Sequence, residues 1–243
     1  MEPTHGKMAK MSDSSFPVIY QLKVVLLGIS PMIWRRLKVS SDSTIEDLHY
    51  TLQIAMGWED IHLHHFIIHG KQYGITQPGG IIFSDCAKRS AGGNRARVVK
   101  LATFGFRVKE RFIYEYDFSI HPAMGAWRYW WRHEIRVEAI LTPQTNQIYP
   151  VCVGGKGVCP PEDCGGPWGF MEKKQDYSVR HLLERFSSML EDGDWAEHRE
   201  ELSELSPWLL VHQNRFDRHE VNRCLQQYAL GNYERQLEQQ EIV

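Results

Sequence analysis

The sequence has no apolar run of the length that a membrane span needs, and it begins with a polar segment. A spanning helix takes ~18 to 20 consecutive apolar residues, and no stretch of the 243 residues approaches that length. The segment MEPTHGKMAKMSDSSFP lacks the apolar core of a signal peptide. We therefore expect residues 1–16 to be a disordered leader and the protein to be cytoplasmic, without a membrane partner.

Several motifs that identify enzyme classes are also missing. The chain contains no serine-nucleophile motif, Walker loop or GxGxxG fingerprint, and GGKG at 154–157 lacks the P-loop spacing. It has no CxxC knuckle, and its five cysteines are an odd number that clusters in one region. Reduced thiols or a metal site are therefore favoured over a disulfide framework. The formal net charge of −2 indicates no particular partner.

The residues that are present in unusual density lie in 151–170, VCVGGKGVCPPEDCGGPWGF. This stretch holds three of the five cysteines and three of the eleven prolines, with glycines between them. Since Pro lacks a backbone donor and Gly weakens regular elements, we predict a rigid loop rather than a helix or a central strand. Its turns would present Glu162 and Asp163 from stiff backbone, and Trp168 and Phe170 would anchor its end.

Apolar periodicity and turn residues predict the other elements. The first part is a strand at 18–27, a strand at 32–39, a helix from 44 to Gly57 and a strand at 62–69. Later strands are expected at 104–109, 111–118 and 133–141, with a loop at 77–93 and an irregular aromatic segment at 121–131. Helices are expected at 178–190, 195–205 and 216–231.

This order of elements predicts a single α+β domain over residues 17–231, followed by a polar tail at 232–243. The ββαβ start indicates a roll-like mixed sheet around one helix, similar to a β-grasp, with C-terminal helices beside it. Trp34 on the second strand and Trp58 just past the first helix are expected to be buried.

The cysteines are candidate zinc ligands. Cys152, Cys159 and Cys164 have a spacing that could supply three ligands of a tetrahedral site, with His133 as the fourth. His62 and His64 are further histidines available from a strand. The other interpretation is that the thiols are small buried hydrophobic groups beneath a tight loop, so the cofactor is either zinc or none.

Glu162, Asp163 and His133 are the candidate catalytic residues. A carboxylate on a rigid loop beside a histidine can act as a general acid or base. The structural alternative is that Asp163 accepts hydrogen bonds from nearby backbone N–H groups and holds the turn.

A basic and ring-rich segment is the candidate nucleic-acid surface. Residues 88–136 contain 11 Lys/Arg against 4 Asp/Glu, whereas residues 184–243 contain 6 Arg against 13 Asp/Glu. Stacking and phosphate contacts are assigned to Arg128, Trp130, Arg132, Arg95 and Arg97. The alternative is an aromatic core cluster whose arginines pair with the acidic C-terminal helices.

Several ordered strings together resemble the plasmid pRiA ORF-three-like family, also described as passenger proteins of insertion sequences. They are SPMIWRRLKV, MGW, HLHHF with GKQYG, FIYEYDF, YPVCVGGKGVCPPEDCGGPWGF and FDRHEVNRCL, between about residue 20 and residue 225. The resemblance implies one α+β domain with a roll-like sheet and C-terminal helices, and it implies no biochemical activity. One string departs from the family, because SIHPAMGAWRYWW follows YDF where the family has a Gly-Asp-Asp-Trp turn.

We therefore expect an accessory or binding protein of plasmids and mobile elements that interacts with nucleic acid, with a protein partner or with a second copy of itself. The alternative is a metal-dependent, hydrolase-like enzyme that uses the Cys-rich loop and His133. A bound zinc ion would not by itself separate these functions, since a structural site is closed and a catalytic site keeps an open position.

Overall fold

A computed structural model describes residues 16–75, 99–120, 127–193 and 196–232. The strands in these ranges are β1 Ile19–Leu26, β2 Ile33–Ser40, β3 His64–Ile68, β4 Lys71–Ile75, β5 Arg111–Ile120, β6 Trp127–Leu141 and β7 Val151–Lys156. The α-helices are α1 Ile45–Met56, α2 Gly166–Asp176, α3 Val179–Asp192, α4 Arg199–Gln213 and α5 Arg218–Ala229, with a short 3₁₀ helix at Leu101–Phe104.

The seven strands form one sheet in the order β4-β3-β5-β6-β1-β2-β7, and every pairing in it is antiparallel. The α+β class, the ββαβ start and the C-terminal helices are confirmed. The sheet is antiparallel rather than mixed because α1 does not return the chain to the neighbour of β2. It carries the chain past three strands, and β3 then pairs with β5.

Helix α1 packs in the core with the sheet, contacts α5 and has a well-defined start and end. Thr44 and Asp47 form a capping box, and Gly57 ends the helix in the left-handed conformation with φ 80°. Leu48 and Leu52 are buried in the core. The Tyr228 hydroxyl on α5 donates to Asp47 Oδ1 at 2.8 Å, so the last helix is fixed to the start of the first.

The stretch 151–170 is not one continuous loop, and the prediction that it contains no helix is wrong. Residues 151–156 form the edge strand β7, where glycine is tolerated, and a Cβ on Gly155 would lie 2.4 Å from the ring of Phe216. Helix α2 begins at Gly166 with Pro167 in its first turn, a position where the missing donor costs nothing. The turn between these elements, residues 157–165, is the part that remains irregular.

Other boundaries also differ from those expected. Strand β6 begins at Trp127, inside the segment expected to be irregular, and the short strand β4 was not predicted because Gly74 interrupts its pattern. Helix α4 begins later than expected and continues through Pro207 to Gln213. The predicted loop at 77–93 lies outside the described residues. None of the helices in the described ranges is long and apolar enough to cross a membrane.

The two tryptophans expected in the core have different environments. Trp58 is 4% exposed, and its Nε1 donates to Pro160 O at 2.9 Å. Trp34 is only half-buried, because alternation along β2 places Ile33 and Arg35 inside and turns Trp34 to the other face. The predicted anchor at Trp168 is likewise wrong, since its side chain is exposed, although Phe170 is buried as expected.

Substitution of the two tryptophans should therefore have unequal effects. We expect Trp58→Ala to lower the free energy of unfolding by about 3 to 5 kcal/mol, since it leaves a cavity and an unpaired carbonyl. Trp34→Ala, the matched control, should cost about 1 kcal/mol or less. Chemical denaturation of both variants measures the difference, and equal losses would contradict the placement of these rings.

Candidate functional site

A buried arginine fixes the turn at 157–165 to the sheet. The Arg35 side chain donates to Ala55 O at 2.8 Å, Trp34 O at 2.9 Å, Lys156 O at 3.1 Å and Cys159 Sγ at 3.1 Å. Arg35 is only 2% exposed, yet within the described residues no carboxylate pairs with its charge. The carbonyl at the C-terminal end of α1 is a favourable position for a positive charge. Arg35 thus joins β2, the end of α1, β7 and the turn.

Glu162 fixes the same turn from the other side. One carboxylate oxygen accepts from the backbone N–H of Glu59 at 2.7 Å, and the other accepts from the Tyr116 hydroxyl. Burial raises the pKa of Glu162 above its usual value. The structural role that the sequence indicated for Asp163 is therefore filled by Glu162, which leaves the Asp163 carboxylate available for another contact.

Three aspartates around this turn have a backbone conformation that is uncommon for residues other than glycine. Asp60, Asp117 and Asp163 have φ values of 61°, 57° and 58°. Asp117 lies where the register between β5 and β6 shifts, and its backbone N–H donates to Leu63 O at 2.9 Å. A bulge of this kind redirects a side chain out of the regular strand pattern.

His62, Asp117 and Asp163 meet at this place, and we call these three residues the His62 centre. The Nε2 atom of His62 lies 2.9 Å from Asp163 Oδ1, and its Nδ1 atom lies 3.5 Å from Asp117 Oδ1. One ligand atom from each residue falls within 4.8 Å of the others. The Asp117 side chain is 4% exposed and that of Asp163 is 67% exposed, so the centre is buried on one side and open to solvent on the other.

Negative charge is concentrated at the His62 centre. Asp117, Asp163 and Glu162 surround one histidine, and no lysine or arginine of the described residues forms an ion pair with any of them. The pKa of Asp117 is raised to about 6, chiefly by burial and further by the charges of Asp163 and Glu162, while His62 opposes the rise. Imidazole and carboxylate donors suit divalent zinc, manganese or iron, and three protein ligands leave open coordination positions.

A second cluster, which we call the His49 group, consists of His49, Asp60 and His64. His49 Nε2 lies 2.7 Å from Asp60 Oδ1, and His64 Nδ1 lies 3.7 Å from the same oxygen. The two imidazole rings are stacked with centroids 3.4 Å apart and planes at 11°. Burial, together with the neighbouring His49, lowers the pKa of His64 to about 2. The buried His64 ring is therefore neutral.

The structure does not bring the four predicted zinc ligands together. No three of Cys152, Cys159, Cys164 and His133 place ligand atoms within 4.8 Å of one another. Cys152 Sγ donates to Gly154 O at 3.3 Å on the edge strand, and all three thiols are buried. Burial raises the pKa of each, that of Cys164 to about 12, as expected for thiols that pack as small apolar groups.

Within the described residues, His133 forms no ion pair with the carboxylates that it was predicted to join. It lies on β6 opposite Tyr114, with its Nδ1 3.4 Å from Tyr114 O and its ring against the edge of Trp58. Complete burial lowers the pKa of His133 to about 3. Asp163 contacts His62 instead. From the sequence, His62 in the string HLHHF was named only as a further candidate zinc ligand.

The structure describes only some of the residues that were predicted to bind nucleic acid. Arg95, Arg97 and the side chain of Arg128 lie outside the described residues. Trp130 is half-buried on β6, and Arg132 Nε lies 3.3 Å from Glu115 Oε1 on β5. The expected pairing with the acidic C-terminal helices is therefore not the one that Arg132 makes.

The chain is similar in sequence to known proteins, and one of these has a similar solved structure. A family model described as "Plasmid pRiA4b ORF-3-like protein" matches residues 18–223. "Uncharacterized protein y4hQ" from Sinorhizobium fredii (strain NBRC 101917 / NGR234) is 30% identical over 154 residues, 63% of this chain and 70% of that protein. The crystal structure of a protein of unknown function, MM3350 from Methanosarcina mazei Go1, is 30% identical, with a TM-score of 0.51 over 79% of this chain and 90% of its own. The family match includes every residue of the His62 centre and the His49 group.

The raised pKa of Asp117 predicts that its neutral isostere is more stable. Because the folded state disfavours the charged carboxylate, Asp117→Asn should raise the free energy of unfolding by roughly 1 to 3 kcal/mol at pH 8. The gain should fade as the pH falls through about 6, where wild-type Asp117 takes up its proton. Denaturation in chelator-treated buffer at pH 8 and pH 4 measures this effect.

The exposed ligand Asp163 provides the matched control. Asp163→Asn should change stability by no more than about 0.5 kcal/mol at either pH. A destabilised Asp117→Asn at pH 8, or a gain independent of pH, would contradict the electrostatic account of the His62 centre.

Proposed function

The chain belongs to the plasmid pRiA4b ORF-3-like family, and we propose that it is a metal-dependent enzyme whose divalent cation is held by the His62 centre. The observation that carries this proposal is the meeting of one imidazole and two carboxylates from three distant segments of the chain. These segments are the strings HLHHF, FIYEYDF and CPPEDC, three of those by which the sequence resembles its family. The Cys-rich stretch thus contributes Asp163 to the site rather than its thiols.

The reaction class that this donor set supports best is hydrolysis. A divalent cation with open positions lowers the pKa of a water molecule and polarises a substrate carbonyl or phosphoryl oxygen. His62 and Asp117 would bind the ion from the buried side, and Asp163 from the side open to solvent. Fewer than four protein ligands distinguishes such a site from a closed structural one.

Glu162 is the candidate general base of this reaction. It is next to the ligand Asp163 in the chain, and the described structure places it outside both ligand clusters. Its oxygens accept from Tyr116 and from the backbone of Glu59, so each keeps a second lone pair for a proton. Its raised pKa brings it closer to neutral pH, where proton transfer is most effective.

Nucleic-acid binding and association with a protein partner or a second copy stay predictions. Arg111 and Arg132 are engaged by Glu134 and Glu115 on the sheet, which reduces the positive charge they offer. The family name supplies only a plasmid context. Association with mobile elements and location in the cytoplasm stay predictions from the sequence. For these reasons the proposal is based on the His62 centre.

Cobalt titration tests the proposal without knowledge of the substrate. We expect the metal-free protein to bind Co²⁺ at the His62 centre with a visible spectrum that azide or phosphate changes, because open positions exchange their ligands. Asp163→Asn should weaken this binding by about 10- to 100-fold or more, and Asp176→Asn, an exposed aspartate on α2, should not.

The same titration separates the alternatives. Equal binding by wild type and Asp163→Asn would place the ion elsewhere. A four-coordinate spectrum that ignores added anions would identify a structural site and overturn the enzymatic proposal.

A further inference from the structure

We propose that the His49 group is a second divalent-cation position, so that the protein holds two ions beside each other. The group offers two imidazoles and one carboxylate whose ligand atoms lie within 4.8 Å of one another. His49 comes from α1, whereas Asp60 and His64 come from the segment that enters β3. This inference does not depend on hydrolysis at the His62 centre, because its ligands are separate.

The residues behind His49 orient its ring as metal-binding histidines are oriented. His49 Nδ1 lies 2.9 Å from the Tyr114 hydroxyl, which also accepts from Gln53 Nε2 at 2.8 Å. In the metal-free protein the 2.7 Å contact between Nε2 and Asp60 Oδ1 is a hydrogen bond in which Nε2 donates. If an ion took the place of that proton, Nδ1 would carry the remaining proton and donate it to the Tyr114 hydroxyl. A bond from the second ring nitrogen to a buried polar group is the usual support of a histidine ligand.

A simple hydrogen bond between His49 and Asp60 accounts for only part of this arrangement. His64 is also stacked on His49, with its Nδ1 3.7 Å from the same carboxylate oxygen. Two imidazoles and one carboxylate whose ligand atoms converge form a donor set that suits a divalent cation. Asp60 also keeps a left-handed backbone, with φ 61°, a conformation associated with functional positions.

Binding requires one movement. The lone pairs of two parallel rings 3.4 Å apart lie in parallel planes, so they cannot point to one ion. Since Tyr114 and Asp60 hold the His49 ring, His64 is the ring that turns about its Cβ–Cγ bond to meet the ion. The ion then replaces the hydrogen bond between His49 and Asp60.

The two positions are neighbours on the sheet. Asp60 and His64 belong to one cluster, and His62 between them belongs to the other. Behind them on β5, the ring centroids of Tyr114 and Tyr116 are 6.5 Å apart. The Tyr114 ring lies 6.3 Å from that of His64, and the Tyr116 ring lies 5.6 Å from that of His62.

Metal stoichiometry tests the inference on the full chain. Zn²⁺ is titrated by calorimetry into chelator-treated protein, and bound zinc is counted by elemental analysis after dialysis. We expect two ions per chain in the wild type, one in Asp60→Asn, one in Asp163→Asn and none in the double variant. Asp60→Asn keeps the size and the acceptor oxygen of the side chain, and His64→Asn should lose the same ion, with thermal melts to verify that each variant is folded.

The possible results separate this inference from the proposed function. Two ions in both wild type and Asp60→Asn, or one ion that Asp60→Asn leaves unchanged, would overturn the second position. One ion that is lost in Asp60→Asn and kept in Asp163→Asn would support the second position and contradict the His62 centre. A wild-type protein that binds no zinc would contradict both.

Discussion

The interaction on which the site depends is the buried guanidinium of Arg35. It has no carboxylate partner in the described structure, and its donors are satisfied by carbonyl groups of β2, α1 and β7 and by the thiol of Cys159. Its guanidinium also lies 4.0 Å from the centre of the Phe216 ring. A buried charge of this kind depends on its hydrogen bonds, so a shift of the turn would leave buried donors without partners. Two strings of the family resemblance, SPMIWRRLKV and CPPEDC, are thus in contact through Arg35 and Cys159.

That fixed turn makes an unfavourable cluster of charge tolerable. Trp58 and Glu162 hold its other side, and Asp163 is then presented to His62 and Asp117. Three carboxylates near one histidine, and three aspartates in left-handed backbone, are costly features that the surrounding packing must maintain. Features of this kind accumulate where the chain is selected for binding or chemistry rather than for stability. A cation is the simplest ligand that would relieve the repulsion.

Local pattern made much of the fold predictable. Strong β-branched strands and the Thr44 cap led to β1, β2 and α1, and the type of the first four elements was correct. The alternation along β2 would have placed Trp34 correctly, but its burial was expected from its position on an apolar strand. The site was harder to predict from the sequence. Asp117 reaches it only through a bulge, and no sequence pattern predicts a register shift. Cysteine spacing pointed to zinc, whereas the three thiols are buried apart from one another, which only the tertiary structure reveals.

The most direct test is anomalous diffraction from crystals grown with Zn²⁺ or Mn²⁺. The account predicts an anomalous peak bonded to a ring nitrogen of His62 and to carboxylate oxygens of Asp117 and Asp163, at about 2.0 to 2.2 Å, with at least one position open to solvent. A peak on the thiols of Cys159 or Cys164, or the absence of any peak at His62, would contradict it.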